Sequence, residues 1–193
     1  QRGRASGVKS VMELLPVSLL TMHAGTGHKR SWVVASLLQY WGCGLLMTLA
    51  GFLLLGFGLI DSEHPLTFDW LTIKQNNAYL HDEILIFILL FYGFAIRMPL
   101  FPFHGWLPAL AEQGTVASVA IFLVGLKLGI YAVIRFILPI IPGVAEEWSD
   151  FVVTLGLISI FYGALLALMQ INIRRLLAFA VISHTGMLVI GMF

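Results

Sequence analysis

TVASVAIFLVGLKLGIYAVIRFIL, residues 115–138, decides what kind of molecule this is. The stretch is 24 residues long, and its only charges are Lys127 and Arg135. At about 1.5 Å per residue, a helix of that length crosses the roughly 30 Å hydrocarbon core of a bilayer. It shows no alternation of period two, which sets aside a strand of a membrane barrel. Five more apolar segments surround it, over residues 11–22, 32–60, 84–96, 151–169 and 176–193. Segment 32–60 is longer than the core requires, so it is expected to tilt or emerge at one end. Segment 84–96 is short and recruits residues near Leu80. The expected fold class is an all-α membrane protein, a multi-span helical bundle forming a single transmembrane domain over residues 1–193.

Composition agrees. Of 193 residues, 59% are hydrophobic and 11% charged, against about 25% charged in an ordinary soluble domain. Mean hydropathy is +0.93. A soluble enzyme, a secreted disulfide scaffold and a disordered tail are all excluded. The net charge of +1 leaves no basic stripe to neutralise phosphates, so no nucleic-acid partner is expected. Cys43 is the sole cysteine and sits in an apolar run, which offers neither a disulfide nor a thiolate metal site. Both ends read as interior to a longer membrane protein. Glu13 interrupts what would be a signal peptide, and the chain stops inside the apolar stretch 187–193.

Charge alternates between the connections. Lys29 and Arg30, Arg97, and Arg174 and Arg175 follow the first, third and fifth segments, whereas the second and fourth are followed by acidic loops. The positive-inside rule places the basic set on the cytoplasmic side or its organellar equivalent, against the weaker count of Arg2, Arg4 and Lys9 at the N-terminus.

The informative residues are polar groups at membrane depth, where a charge costs about 2.5–3.5 kcal/mol on insertion scales. Lys127 is central in its span. At 100° per residue it points roughly 200° and 160° away from Gly125 and Gly129, which share a face suited to close helix approach. Burial disfavours a charged ammonium, so such a lysine can serve as a reversible proton site; a structural ion pair has the same signature. Glu13 precedes Pro16, whose helix bend frees backbone carbonyls, and it can pair with a buried lysine or lie at the interface. His184, flanked by Ser183, Thr185 and Gly186, suits a mid-membrane proton relay in a locally unwound helix or a histidine bonded to a neighbour. Helix breaks are expected near Lys127 and His184, and regular helices through both positions would weigh against a channel there. Residues 97–108, RMPLFPFHGWLP, hold three prolines in ten residues and cannot be one helix. They place Arg97 and His104 in an ordered turn, with Glu112 before the fourth segment, where it can act on that helix's N-terminus or in proton access. No phosphate loop, nucleophile elbow, zinc box or dinucleotide fingerprint occurs. Paired haem ligation by His104 and His184 is not expected, one lying in a turn and the other mid-span.

Pro102-Phe-His104-Gly-Trp106-Leu-Pro108, Gly125-Leu-Lys127-Leu-Gly129-Ile-Tyr131 with Arg135, and Asn172-Ile-Arg174-Arg175 followed by Ser183-His184-Thr-Gly186 occur in the family order of one group of proteins. Together with Glu13-Leu-Leu-Pro16, the chain resembles the antiporter-like subunits of respiratory complex I, the kind called subunit M in bacteria, chain 4 in mitochondria and NdhD in photosynthetic relatives. The matches cover less than half of a usual member. The resemblance implies half of an inverted-repeat transporter fold with discontinuous helices, forming a proton half-channel. The family's glutamate falls on Glu13, its lysine of the broken helix on Lys127, the lysine of a later motif on Arg174 and the following histidine on His184. This chain departs from the pattern in three ways. Asn172 replaces an acidic residue, Arg174 replaces a lysine that would release a proton more readily, and Glu112-Gln-Gly114 lacks a proline.

The resemblance further implies a proton-translocating membrane-arm subunit of a complex I-type NAD(P)H- or ferredoxin-quinone oxidoreductase, in which Glu13, Lys127, His184 and Arg174 form the proton relay; as an arginine, Arg174 is expected to act there as an electrostatic gate of fixed charge. The chain itself holds no cofactor; flavin, iron–sulfur clusters and quinone belong to partner subunits. Its surroundings are other membrane-arm subunits, lipid and protons in an energy-coupling membrane: bacterial plasma, thylakoid or mitochondrial inner. A subunit of a multisubunit Mrp cation/proton antiporter or of a hydrogenase membrane arm shares the motifs. A non-conducting structural module is the reading of another class.

Overall fold

The computed structural model describes residues 28–57 and 83–193; the segment 11–22, with Glu13, lies outside them. Every regular element among the described residues is helical. In chain order they are α1 (His28–Phe57), α2 (Glu83–Arg97), α3 (Trp106–Gln113), α4 (Val116–Ala132), a π-helical turn (Val133–Ile137), α5 (Leu138–Ile140), α6 (Pro142–Glu147), α7 (Ser149–Leu168) and α8 (Ile173–Ile190). Among the described residues four stretches are long and apolar enough to cross a membrane: Trp32–Phe57, Phe122–Ile140, Ser149–Leu168 and Ile173–Ile190.

The helices enclose two apolar clusters. One joins Val33, Leu37 and Trp41 of α1 to Trp106, Leu107 and Leu110 of α3, Phe122 of α4 and Phe179 and Ile182 of α8. The other gathers α2, the end of α1, the π-helical turn and α6, with Val152 and Val189 from α7 and α8. Outward faces stay apolar: Phe161, Leu165 and Leu168 of α7 are exposed, as lipid-facing side chains are expected to be.

Small residues bring α7 and α8 together. A Cβ on Gly186 would lie 2.5 Å from the Gly156 carbonyl oxygen, and one on Gly163 would lie 2.8 Å from the Ser183 nitrogen. This close approach is what glycines allow between membrane helices.

The helix breaks do not fall where the sequence places them. α4 is regular through Lys127 and α8 is regular through His184. Gly125 and Gly129 serve packing, and the hydroxyls flanking His184 bond to intact helices: Thr185 donates to the Val181 carbonyl at 2.8 Å and Ser183 to the Ile160 carbonyl at 3.1 Å. The real interruptions lie on either side of α4. Before it, Gly114 is extended (ψ 157°) between α3 and α4. After it, the Leu138 N–H reaches back to the Val133 carbonyl, five residues away. Pro139, with no N–H to give to a carbonyl one turn back, accounts for that widened turn.

Candidate functional site

Lys127 emerges from α4 opposite the packed glycines. A Cβ on Gly125 would meet the Trp41 ring at 3.2 Å and one on Gly129 would meet Met98 Cγ at 2.8 Å. Both glycines are buried and Lys127 is exposed, the bearing that 100° per residue requires. Lys127 makes no hydrogen bond or ion pair among the described residues.

α8 begins on a side-chain cap. Asn172 Oδ1 accepts the Arg174 backbone N–H at 3.1 Å, satisfying one of the unpaired donors of the first turn. The Arg174 guanidinium donates a long bond, 3.4 Å, to the Gly114 carbonyl. Beside it, a cavity of about 270 Å³ between α3, α4 and α8 is walled by Leu107, Leu123, Leu177 and Val181, with Arg174 its one charged lining residue. Arg174 thus sets a positive charge beside apolar walls while its side chain remains exposed. Arg175 pairs with Glu112 at 3.5 Å. Glu112 sits in the last turn of α3 rather than at the start of α4, and its carboxylate is drawn to α8. His184 lies ten residues beyond Arg174, about 15 Å along the helix; it is exposed and no described hydrogen bond or ion pair joins it to Lys127 or Arg174.

The proline-rich turn is well anchored. Its backbone is held by Met98 N–H to Phe94 O at 2.9 Å, Leu100 N–H to Ala95 O at 3.1 Å and Phe103 N–H to Leu100 O at 2.7 Å. Trp106 Nε1 donates to the Ile96 carbonyl at 2.9 Å and ties α3 back to the end of α2. Trp106 and Phe122 meet Trp41 edge-on, with ring centroids 5.6 and 4.8 Å apart. The Arg97 guanidinium lies 5.4 Å from the Trp41 ring centroid, within reach of a cation–π attraction. His104 is buried, stacked on Phe101 at 5.7 Å and met edge-on by Tyr162 at 4.9 Å. Burial pushes the His104 imidazole below its ordinary value, since an apolar surround disfavours the charged ring. Its Nδ1 has no hydrogen-bond partner among the described residues.

Trp41, Ser159 and Tyr162 were not singled out by the sequence. A lone serine in the apolar run of α7 was the available signal for Ser159; Tyr162 and Trp41 looked like ordinary span aromatics. Among the described residues no three His, Cys, Asp or Glu side chains gather as a metal site would require.

Residues 12–193 match the family described as NADH:quinone oxidoreductase/Mrp antiporter, transmembrane. The chain is 37% identical over 153 residues to NADH-quinone oxidoreductase subunit M of Pseudomonas aeruginosa, covering 79% of this chain and 30% of that protein. It is 32% identical over 182 residues to the chloroplastic NAD(P)H-quinone oxidoreductase chain 4 of Physcomitrium patens, covering 93% and 35%. Its fold matches a chain of respiratory complex I from Thermus thermophilus with bound NADH at a TM-score of 0.76 and 26% identity, over 91% of this chain and 37% of that one. A chain of an archaeal membrane-bound sulfane sulfur reductase shares the fold at a TM-score of 0.73 and 16% identity, covering 91% and 36%. The chain thus spans about a third of the length of the curated relatives it matches. Its four apolar spans and these relatives make it an integral membrane protein of an energy-coupling membrane. The chain belongs to the NADH:quinone oxidoreductase/Mrp antiporter transmembrane family.

Proposed function

We propose that this chain is the proton-translocating part of a membrane-arm subunit in a complex I-type quinone oxidoreductase, and that it relays protons through Glu13, Lys127 and His184. The observation that carries the reading is the family match over residues 12–193, which takes in all three. Electron transfer belongs to partner subunits, which hold any flavin, iron–sulfur cluster and quinone; this chain supplies charged and proton-exchanging side chains. Lys127 has no counter-charge among the described residues, so its partner comes from outside them, the place Glu13 takes in this reading. An ammonium beside a carboxylate keeps its proton, and separation of the pair in an apolar surround favours release. Opening and closing the pair would then move a proton toward His184. The regular helices at Lys127 and His184 weigh against a channel at those two points; the backbone interruptions lie instead at 114–115 and 133–137.

The test is proton flux during quinone reduction by the complete complex in vesicles, for Lys127→Ala, Glu13→Gln and the double variant. The relay predicts that Lys127→Ala abolishes flux while the complex assembles, because a neutral side chain removes an insertion cost of about 2.5–3.5 kcal/mol. Glu13→Gln impairs flux as well. A structural ion pair predicts the reverse pattern: each single change strands a charge and lowers assembly, and the double change restores both. Full pumping by the double variant would sink the relay. The Pseudomonas aeruginosa and Physcomitrium patens relatives are both quinone oxidoreductase subunits, which favours that assembly over an Mrp antiporter; the subunits purified with the chain decide between them.

A further inference from the structure

Ser159 is fully buried in the middle of α7, and nothing in the relay uses it. Its Oγ accepts the Phe101 backbone N–H at 2.9 Å, across 58 residues of sequence. Phe101 stacks on His104, and Tyr162 meets the same imidazole from the other helix. Ser159 and Tyr162 are three residues apart and so share a face of α7. One fixes the backbone of the turn, and the other packs on the ring that the turn presents. Ser159 also borders α8: a Cβ on Gly186 would lie 3.0 Å from Ser159 Cβ, and Gly186 is two residues from His184. The buried Ser159 therefore meets the turn that bears His104 through its hydroxyl and borders the helix that bears His184 through its Cβ.

We propose that Ser159 is a positioning residue for proton exchange at His104, holding the imidazole against Tyr162 and in register with the His184 helix. The inference rests on the proton-translocating reading above. A buried backbone N–H in an irregular turn needs an acceptor in any case, so a purely structural bond is the rival account, and total activity alone does not separate the two. The pH profile does. The titratable or charged groups on the elements around His104 include Tyr162 on α7, Tyr40 on α1 near Gly105, Tyr92 on α2 against Phe103, Arg97 at the end of α2, Glu112 on α3, and Arg174, Arg175 and His184 on α8. None of them shares a described hydrogen bond or ion pair with His104. Its proton affinity is therefore set chiefly by how well the turn excludes water. With the turn held, the imidazole stays neutral near pH 7 and takes a proton only below its solution value of about 6.5. With Ser159 Oγ removed, the turn loosens, water reaches the ring, and protonation moves up toward that value.

The experiment measures proton flux per electron from pH 5.5 to 8 in vesicles holding the complete complex, for the unaltered chain, Ser159→Ala, His104→Gln and both together. The expected result is an acid limb that moves upward in Ser159→Ala, with flux at pH 6 falling at least threefold. His104→Gln should remove that limb, and Ser159→Ala should change nothing further on the His104→Gln background, the signature of two residues acting as one unit. An unmoved limb in Ser159→Ala, with flux lost only in proportion to assembled complex, shows a structural bond and overturns the proposal. Flux and limb unaffected by His104→Gln overturn it as well. In either case, loss of flux in Lys127→Ala leaves the translocating function standing, and full flux in Lys127→Ala removes that function and this inference together.

Discussion

Arg174 holds a charge that stays put. A guanidinium does not give up its proton under conditions where a lysine in the same surroundings can, and among the described residues the Arg174 guanidinium makes only the 3.4 Å bond to Gly114, so little described geometry depends on its planar fork. Arg174→Lys is therefore expected to keep or raise proton flux at unchanged assembly, measured in vesicles with the complete complex. A marked loss would show that guanidinium shape matters more than charge. At this scale the sequence was readable where the answer depended on one helix alone. The bearing of Lys127 away from Gly125 and Gly129 follows from 100° per residue and holds. Ser159 could not be read that way, because its meaning comes from a backbone N–H 58 residues distant. The same is true of Glu112, whose partner Arg175 lies on α8.

Among the elements, the closest pairing is α7 against α8, and its glycines make it testable. A methyl group at Gly186 would press on the Gly156 backbone oxygen at 2.5 Å, with Ser159 Cβ and Ile160 Cγ1 at 3.0 and 3.1 Å. Backbone cannot move aside as a side-chain tip can. Gly186→Ala is expected to destabilise the assembled protein by about 1–3 kcal/mol, the usual range for overpacking. Gly143 in α6 is the control: nothing lies within 4 Å of a Cβ there, so Gly143→Ala should be neutral or stabilise by up to about 1 kcal/mol through helix propensity. Midpoints of denaturant-induced unfolding in detergent check both, and equal shifts for the two variants would contradict the packing argument. Apolar runs announced the helices themselves. The break expected near His184 was misplaced because Ser183, Thr185 and Gly186 suit unwinding as well as packing, and here they let helices approach and bond to helix carbonyls; Gly125 and Gly129 near Lys127 serve the close approach expected of them. Pro139 was the better signal, and it stands just beyond the segment boundary at 138.

The described helices form a bundle whose outward faces carry apolar side chains. Phe161, Leu165 and Leu168 are 62%, 62% and 84% exposed along α7, and Ile171, in the connection to α8, is fully exposed. Cysteine probes in a Cys43→Ser background distinguish membrane from water. Ile171→Cys should react with a membrane-impermeant maleimide and Leu165→Cys should not. If the basic connections face the cytoplasmic side, Ile171→Cys reacts in inverted vesicles and is protected in right-side-out ones, while Glu147→Cys does the opposite. Both sites reacting from the same side would overturn the spanning assignment of α7.

The widened turn at Val133–Ile137 has a consequence for how this bundle can be built. A bond from Leu138 back to Val133 encloses one residue more than an α-helical turn does, which amounts to a phase shift of about 100° within a single rod. The face that α4 offers to α2 and the face that the turn offers to the same helix are both packed, yet they need not lie on one straight stripe. The azimuth of Lys127 is thereby offset, by about one residue's rotation, from the azimuth the proline end would have on an unbroken α-helix.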